Sequence, residues 1–271
     1  MKLSIIILDF EKSTRVLANV AALLAQKTDF DFEIIVAVNA ANEAKKAKFA
    51  GLVNEPKIKF IFNAENLGYP RGINSAVQKS SGEILAIVNP DLICPDENSL
   101  AKLVAKIESD AKIGVLAPRQ IRETDGQTEM TARAFPQLLN QIARRTWLRK
   151  IPGIRERVAH DEMQHLDLAR EQQVDWLQSS FWIVRRNFWD ELGGLDERFF
   201  LFMSDPDFCR RVWDAGKIVL FWPEVIVRAD GLRASAGGFL AFFKKWTLRQ
   251  HLRDALKYFG KWRGKKNPRD Q

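Results

Sequence analysis

The first 118 residues alternate between two hydrophobic rhythms. Leu3–Leu8 is a continuous apolar run rich in isoleucine, the pattern of a strand covered on both faces. Ser13 and Thr14 follow as N-cap candidates for a helix whose apolar positions Val16, Val20, Leu23 and Leu24 share one side. The pair of rhythms then recurs. Phe32–Val38, Ile58–Phe62, Glu83–Val88 and Ile113–Ala117 read as strands, and Glu43–Leu52, Gly72–Ser80 and Leu100–Ser109 as helices. Alternation of this kind predicts an α/β fold, Rossmann-like, with a mostly parallel sheet flanked by helices. Ligands of such sheets bind beyond the carboxyl ends of the strands, where Asp9, Asn39, Asn63–Asn66 and Asn89–Asp91 lie.

Past residue 118 the rhythm breaks. Residues 119–175 are polar, with basic pairs at Arg144-Arg145 and Arg149-Lys150, and Phe135–Trp147 is the helix expected there. Val174–Arg186 returns to strand-like sequence, and Arg186–Leu192 reads as a helix closed by Gly193-Gly194. From Gly237 the chain is basic and aromatic. Phe239, Phe242, Phe243 and Trp246 share one helical face, while Leu248, Leu252, Ala255, Phe259 and Trp262 share another. Thr247 with Gln250 matches a capping box, so two short helices with a break near Trp246 are expected in a helical appendage, 237–271.

Composition narrows the function classes. The 271 residues fit one large domain or one domain with a small appendage. A net charge of +8 implies an anionic partner: nucleic acid, anionic lipid or a phosphorylated small molecule. Nucleic acid is set aside, because no binding module is present and the basic tail is short. Cys94 and Cys209 are too few for a disulfide framework and lack metal-ligand spacing, which suits a reducing compartment. The opening apolar run stops at Asp9, and no segment reaches the ~20 apolar residues of a membrane helix. The expected location is cytoplasmic, free or on the cytoplasmic face of a membrane. A dinucleotide oxidoreductase is disfavoured, since LDFEKS and not G-x-G-x-x-G follows the first strand.

Three stretches carry candidate chemistry. In Asn66-Leu67-Gly68-Tyr69-Pro70-Arg71-Gly72-Ile73-Asn74 the glycines let backbone approach a ligand, and Arg71 can meet a phosphate or ribose. Asn74 is placed at a helix start, where free N–H groups favour anions; the plainer reading is a turn before a helix. At Asn89-Pro90-Asp91 the carboxylate can hold Mg²⁺ or Mn²⁺ against a diphosphate, or the three residues simply make a turn. Gly193–Arg211 holds Asp205 and Asp207 behind an aromatic stretch and ahead of a helix. Asp205 is a candidate general base, with Asp207 paired to Arg210 or Arg211; both acids also suit a helix N-terminus.

In their order these segments resemble family 2 of the inverting glycosyltransferases, a family of GT-A fold, and within it the rhamnosyltransferase-like branch. The matching stretches are Asn66–Asn74, Asn89–Asp91, Trp176–Ser180, Gly193–Phe200 and Ser204–Arg211. The resemblance implies a GT-A domain over 1–236, with a nucleotide-binding half (1–118) and an acceptor and catalytic half (119–236). It implies transfer of a sugar from a dTDP-rhamnose or UDP-hexose-like donor to a saccharide or lipid-linked acceptor, with inversion, in surface polysaccharide synthesis. Asp9, Asn39, Asn66, Arg71, Asn74, Asn89 and Asp91 would bind the nucleotide sugar, Asp91 the Mg²⁺ or Mn²⁺, and Asp205 would be the catalytic base. The basic and aromatic segment 239–266 would meet an anionic membrane surface, or else pack its aromatic face on the domain.

The chain departs from the family pattern at four places. Val38 stands where an aspartate contacts the base, Ser204 replaces the glutamate of the E-D pair, and Ser179-Ser180 replaces G-A. Ala229 occupies the place of a histidine before D-G, which predicts weakened metal binding, with Arg228 or Arg233 neutralising the leaving diphosphate. These departures keep open a second class, a catalytically degenerate binding or scaffold protein.

Overall fold

The computed structural model describes residues 1–144, 146–231 and 246–270. Four strands, β1 (Leu3–Asp9), β2 (Phe32–Val38), β3 (Ile58–Phe62) and β4 (Ile84–Val88), form the first half of the sheet and run parallel in the order β3-β2-β1-β4. Every residue of β2 and β4 is buried, which is why their sequences are apolar apart from Glu33 in β2. Alternate side chains of β1 enter opposite cores. Leu3, Ile5 and Ile7 meet α1 (Ser13–Leu24), while Ile6 packs on the side of α3 (Gly68–Gln78), which follows the short α2 (Glu43–Lys48).

The second half is mixed. β5 (Leu92–Ile93) is followed by α4 (Ser99–Ser109) and β6 (Ile113–Arg122), then by the small β7 (Thr128–Glu129) and β8 (Ala132–Arg133). β9 (Gln172–Gln173), β10 (Trp176–Leu177) and β11 (Phe181–Arg185) come next, and β11 inserts antiparallel between β4 and β6. The parallel arrangement therefore holds only up to β4 and again between β6 and β12 (Ile218–Ala229). β12 is the longest strand and was not among the expected ones. Its register shifts between Trp222 and Ile226, around Pro223, which cannot donate to a ladder. Beyond the shift its end pairs with β5, Ala229 opposite Leu92.

Helix boundaries differ from expectation where capping is tertiary. Lys12, not Ser13, is the residue ahead of α1, and Ser13 bonds back to Asp9. α3 starts at Gly68, four residues earlier than its apolar pattern suggests, because Pro70 is tolerated in a first turn. The expected helix Phe135–Trp147 is only α5 (Leu138–Arg144), with a 3₁₀ turn at Trp147–Lys150 and an unforeseen α6 (Ile154–Asp161). α7 (Arg186–Glu191) ends at Gly193 and Gly194, both at positive φ as expected. α8 (Ser204–Asp214) then carries Asp205 and Asp207 in its first turn, not ahead of it.

The C-terminal helix Trp246–Lys261 packs on the domain through Leu248, Ala255 and Tyr258, with Trp262 just past its end. Phe199 and Met203 complete that cluster. Gln250 donates to Asp254 at 2.9 Å in place of closing a capping box. Leu252, expected on the packed face, is exposed. The tail helix expected around Phe239, Phe242 and Phe243, and Arg233 with it, lie outside the described residues.

Candidate active site

A cleft of about 560 Å³ opens between the ends of β4 and β12, the loop before β11, the start of α8 and the C-terminal helix. Asn89, Asp91, Asp205 and Asp230 line it, with Tyr69, Trp176, Phe202 and His251. Of the sequence candidates it gathers Asn89, Asp91 and Asp205. His251, expected as a plain surface residue, stands against the Phe202 ring at 4.7 Å in this wall.

Asp205 and Asp207 have opposite surroundings despite lying two residues apart. Asp207 is fully buried and saturated: it accepts from Arg211 at 3.0 Å, from the Trp262 indole at 2.9 Å and from Lys261 at 2.6 Å. Arg211 is thus its arginine partner, while Arg210 donates to the carbonyls of Lys265 and Lys266. Asp205 instead faces the cleft. The Ser179 hydroxyl donates to its Oδ1 at 2.6 Å and the Ser179 N–H to its Oδ2 at 3.3 Å. Tyr69 donates to the Ser179 carbonyl at 3.0 Å and so fixes the residue that fixes the acid. Burial pushes the Asp205 acid above its ordinary value, and the bonds from Ser179 and Ser204 oppose that rise. A carboxylate raised in this way is a stronger base than one in water.

Just ahead of α8, Asp254 of the C-terminal helix accepts from the backbone N–H groups of Phe200 (3.2 Å), Leu201 (3.0 Å) and Phe202 (3.0 Å). It is fully buried. This carboxylate shapes the loop that delivers Asp205, a role the sequence alone did not signal.

At the other end of the cleft, pairing of β12 with β5 brings Asp230 beside Asp91. The Lys12 ammonium lies 3.2 Å from each carboxylate. Burial pushes the Asp91 acid up; Lys12 opposes the rise and Asp230 adds to it. The Asp91 carbonyl accepts from Arg15, which also pairs with Glu123 at 3.0 Å. Ala229 is buried in the ladder and offers no donor. Arg228 projects to solvent on the opposite side of β12. Among the described residues no three His, Cys, Asp or Glu side chains converge as a metal cage. Two carboxylates nevertheless suit Mg²⁺ or Mn²⁺, which take hard oxygen donors and leave places for phosphate and water. Lys12 already marks that spot as a place for positive charge.

The remaining candidates make a framework next to the cleft. Asp9 is fully buried and accepts from the Lys12 N–H (2.8 Å) and the Ser13 hydroxyl (2.9 Å). Asn39 donates to Asn66 (3.1 Å) and to the Gly68 carbonyl (3.2 Å), and accepts from Asn63 (3.1 Å). Arg71 is exposed and meets Glu197 at 3.4 Å. Asn74 lies inside α3, not at its start, and exchanges bonds with the Leu195 carbonyl (2.8 Å) and N–H (3.0 Å). The anion-binding helix start expected there is therefore absent from that position. Gly194 is required opposite it, because a Cβ there would meet the Asn74 amide oxygen at 2.7 Å.

Residues 4–187 match the family described as Glycosyl transferase family 2. The chain belongs to that family. A curated relative, the N-acetylglucosaminyl-diphospho-decaprenol L-rhamnosyltransferase of Mycobacterium tuberculosis (strain ATCC 25618 / H37Rv), is 25% identical over 221 residues, 76% of this chain and 69% of that protein. Among solved structures, the mannosyltransferase PcManGT from Pyrobaculum calidifontis, in complex with GDP-Man and Mn²⁺, aligns with a TM-score of 0.62 at 14% identity. That alignment covers 99% of this chain and 66% of PcManGT. GalNAc-T7 with UDP, GalNAc and Mn²⁺ aligns at a TM-score of 0.68 and 17% identity, over 98% of this chain and 48% of its own. The chain thus spans about half to two thirds of those solved chains. The fold is GT-A, and the chain is a family 2 glycosyl transferase by sequence.

Proposed function

We propose that this glycosyltransferase moves a sugar from a dTDP-rhamnose or UDP-hexose-like donor to a saccharide or lipid-linked acceptor, with inversion, in surface polysaccharide synthesis. The observation that carries the reading is Asp205, a carboxylate raised by burial, oriented by Ser179 and turned into the cleft. Its free lone pairs take the proton of an acceptor hydroxyl as that oxygen attacks the anomeric carbon. Such general-base help is worth about 10²–10⁴-fold. The rhamnosyltransferase relative is named for a lipid-linked diphosphate, and this supports a lipid-linked acceptor here.

Tyr69, through the Ser179 carbonyl, and Asp207, through Arg211 and Lys261, hold α8 so that the base does not turn away. Mg²⁺ or Mn²⁺ at Asp91 and Asp230 would supply positive charge for the leaving nucleoside diphosphate. The C-terminal helix turns Trp246, Leu252 and Leu256 outward, with Arg249 and Arg253 on the same exposed side. Such a face suits contact with an anionic leaflet, in keeping with a lipid-linked acceptor. No described helix is long and apolar enough to cross a membrane.

Asp205→Asn tests the assignment. Donor hydrolysis or transfer is measured across dTDP-, UDP- and GDP-sugars, alongside donor binding by calorimetry. The expected result is at least a hundred-fold loss of turnover with donor affinity kept. Turnover unchanged by the substitution removes Asp205 from the role. Failure of the wild-type chain to bind any of the donors replaces the enzyme reading with the scaffold one.

A further inference from the structure

Register places two carboxylates from distant parts of the chain on one wall of the cleft. Arg228 pairs with Ile93 and Ala229 with Leu92, so the next residue, Asp230, falls beside Asp91. Their side chains are 11% and 15% exposed, and a single ammonium, that of Lys12, lies 3.2 Å from both. The Lys12 backbone is pinned, its N–H donated to Asp9 at 2.8 Å. Its side chain, 35% exposed, is the movable part. Four methylenes and a freely rotating ammonium give it the reach to change partners.

We propose that Asp91 and Asp230 form one cation site that Lys12 occupies in the free protein, and that a divalent cation arriving with the donor diphosphate displaces Lys12 onto that diphosphate. The proposal rests on the donor reading above and adds to it the second carboxylate and the exchanging lysine. Charge drives the exchange. A divalent cation in the place of a single ammonium brings one more positive charge to meet the diphosphate. An ammonium and a metal ion cannot share the space between the two carboxylates, so Lys12 leaves and the incoming phosphate oxygens offer it new acceptors. Asp230 thereby does by oxygen, one position later, what Ala229 cannot do. A set of two carboxylates, phosphate and water also prefers Mg²⁺ or Mn²⁺ over softer metals. Metal and nucleotide then bind cooperatively, each weakly alone, because metal alone must evict Lys12 without giving it a new partner.

The test is Mn²⁺ titration followed by electron paramagnetic resonance, on the full chain, with and without dTDP or UDP. Lys12→Met is expected to bind Mn²⁺ about ten-fold tighter than wild type in the absence of nucleotide, because the competing cation is gone. Asp230→Asn is expected to bind it at least ten-fold more weakly, and Lys12→Arg to stay near wild type. Adding dTDP or UDP should tighten Mn²⁺ binding in the wild type but less in Lys12→Met. Near-ultraviolet circular dichroism checks that each variant is folded, and Lys12→Arg keeps the comparison valid should Lys12→Met not fold. Mn²⁺ affinity unchanged in Lys12→Met with Asp230→Asn at wild-type level overturns the cation site. If Lys12→Met does not fold, wild-type Mn²⁺ affinity in Asp230→Asn overturns it by itself. Nucleotide without effect on any variant overturns the transfer of Lys12 to a diphosphate together with the donor reading, while the Mn²⁺ shifts without nucleotide still judge the exchange on their own.

Discussion

Asp254→Ala should cost the protein about 3–5 kcal/mol, although the residue lies on a C-terminal helix and touches no substrate. The carboxylate is fully buried and takes three backbone N–H groups, from Phe200, Leu201 and Phe202. A hydrogen bond to a charged group is worth roughly 1.5–3 kcal/mol, so simple addition would give more. The three donors are half-buried, however, and can recover water once freed, which places the loss near the lower end. Against a total stability of roughly 5–15 kcal/mol, that is a large share. Urea unfolding followed by tryptophan fluorescence should show the midpoint falling by about 1 M or more, given an m-value of roughly 3 kcal/mol/M. Hydrogen exchange at Phe200–Phe202 should accelerate together with exchange along the helix. Asp254→Asn, which keeps one acceptor oxygen, should fall between. A loss below about 1 kcal/mol would refute the reasoning: the loop would then be held by packing, chiefly of Phe199 and Met203 on Tyr258.

Two other consequences concern pH. Burial drives the Glu33 acid up, but the Lys59 ammonium, the Ser81 N–H and the Ser4 and Ser81 hydroxyls outweigh it and bring the group from 4.5 to about 2. Such a lowered carboxyl contributes stability that is whole above its unfolded value and lost as pH falls toward 2; Lys59 is 56% exposed, so water screening reduces the contribution to about 2 kcal/mol. Urea titrations between pH 6 and pH 2, limits set about 1.5 units above the ordinary value of 4.5 and at the folded value, should show Glu33→Gln lacking this part of the acid loss, and parallel curves for the two proteins would contradict it. Ser179→Ala should move the acid limb of the turnover profile upward, because burial already raises Asp205 and the substitution removes the opposing bond from the Ser179 hydroxyl while keeping that from its N–H. An unmoved limb in a pH–rate series would assign the hydroxyl bond to structure alone.

What the sequence made legible was whatever one element decides by itself. β1, β2 and β4 could be bounded because a strand buried along almost its whole length reads as a mostly apolar run. β12 escaped notice because Pro223 and Glu224 break it and its second part alternates buried with exposed positions. The start of α3 was misplaced because Pro70 and Arg71 resemble a turn when read locally. The order of motifs was enough to suggest the family, and Asp205 and Asp91 came with it. The partners that give those two acids their properties were not legible: Ser179 stands 26 residues from Asp205, and Lys12 stands 218 from Asp230. Contacts at such separations follow from topology, and no local spacing encodes them.

The bonds from Trp262 and Lys261 to Asp207 have a consequence for synthesis. Asp207 and Trp262 are 55 residues apart, so the helix that carries Asp205 waits for Trp262 to leave the ribosome. The sheet from β1 to β4 needs only the first 88 residues and can pair long before. A nascent chain would therefore own a paired β1–β4 sheet while α8 still lacked its anchor. On the role proposed for Asp205, chemistry would be withheld until Trp262 has emerged.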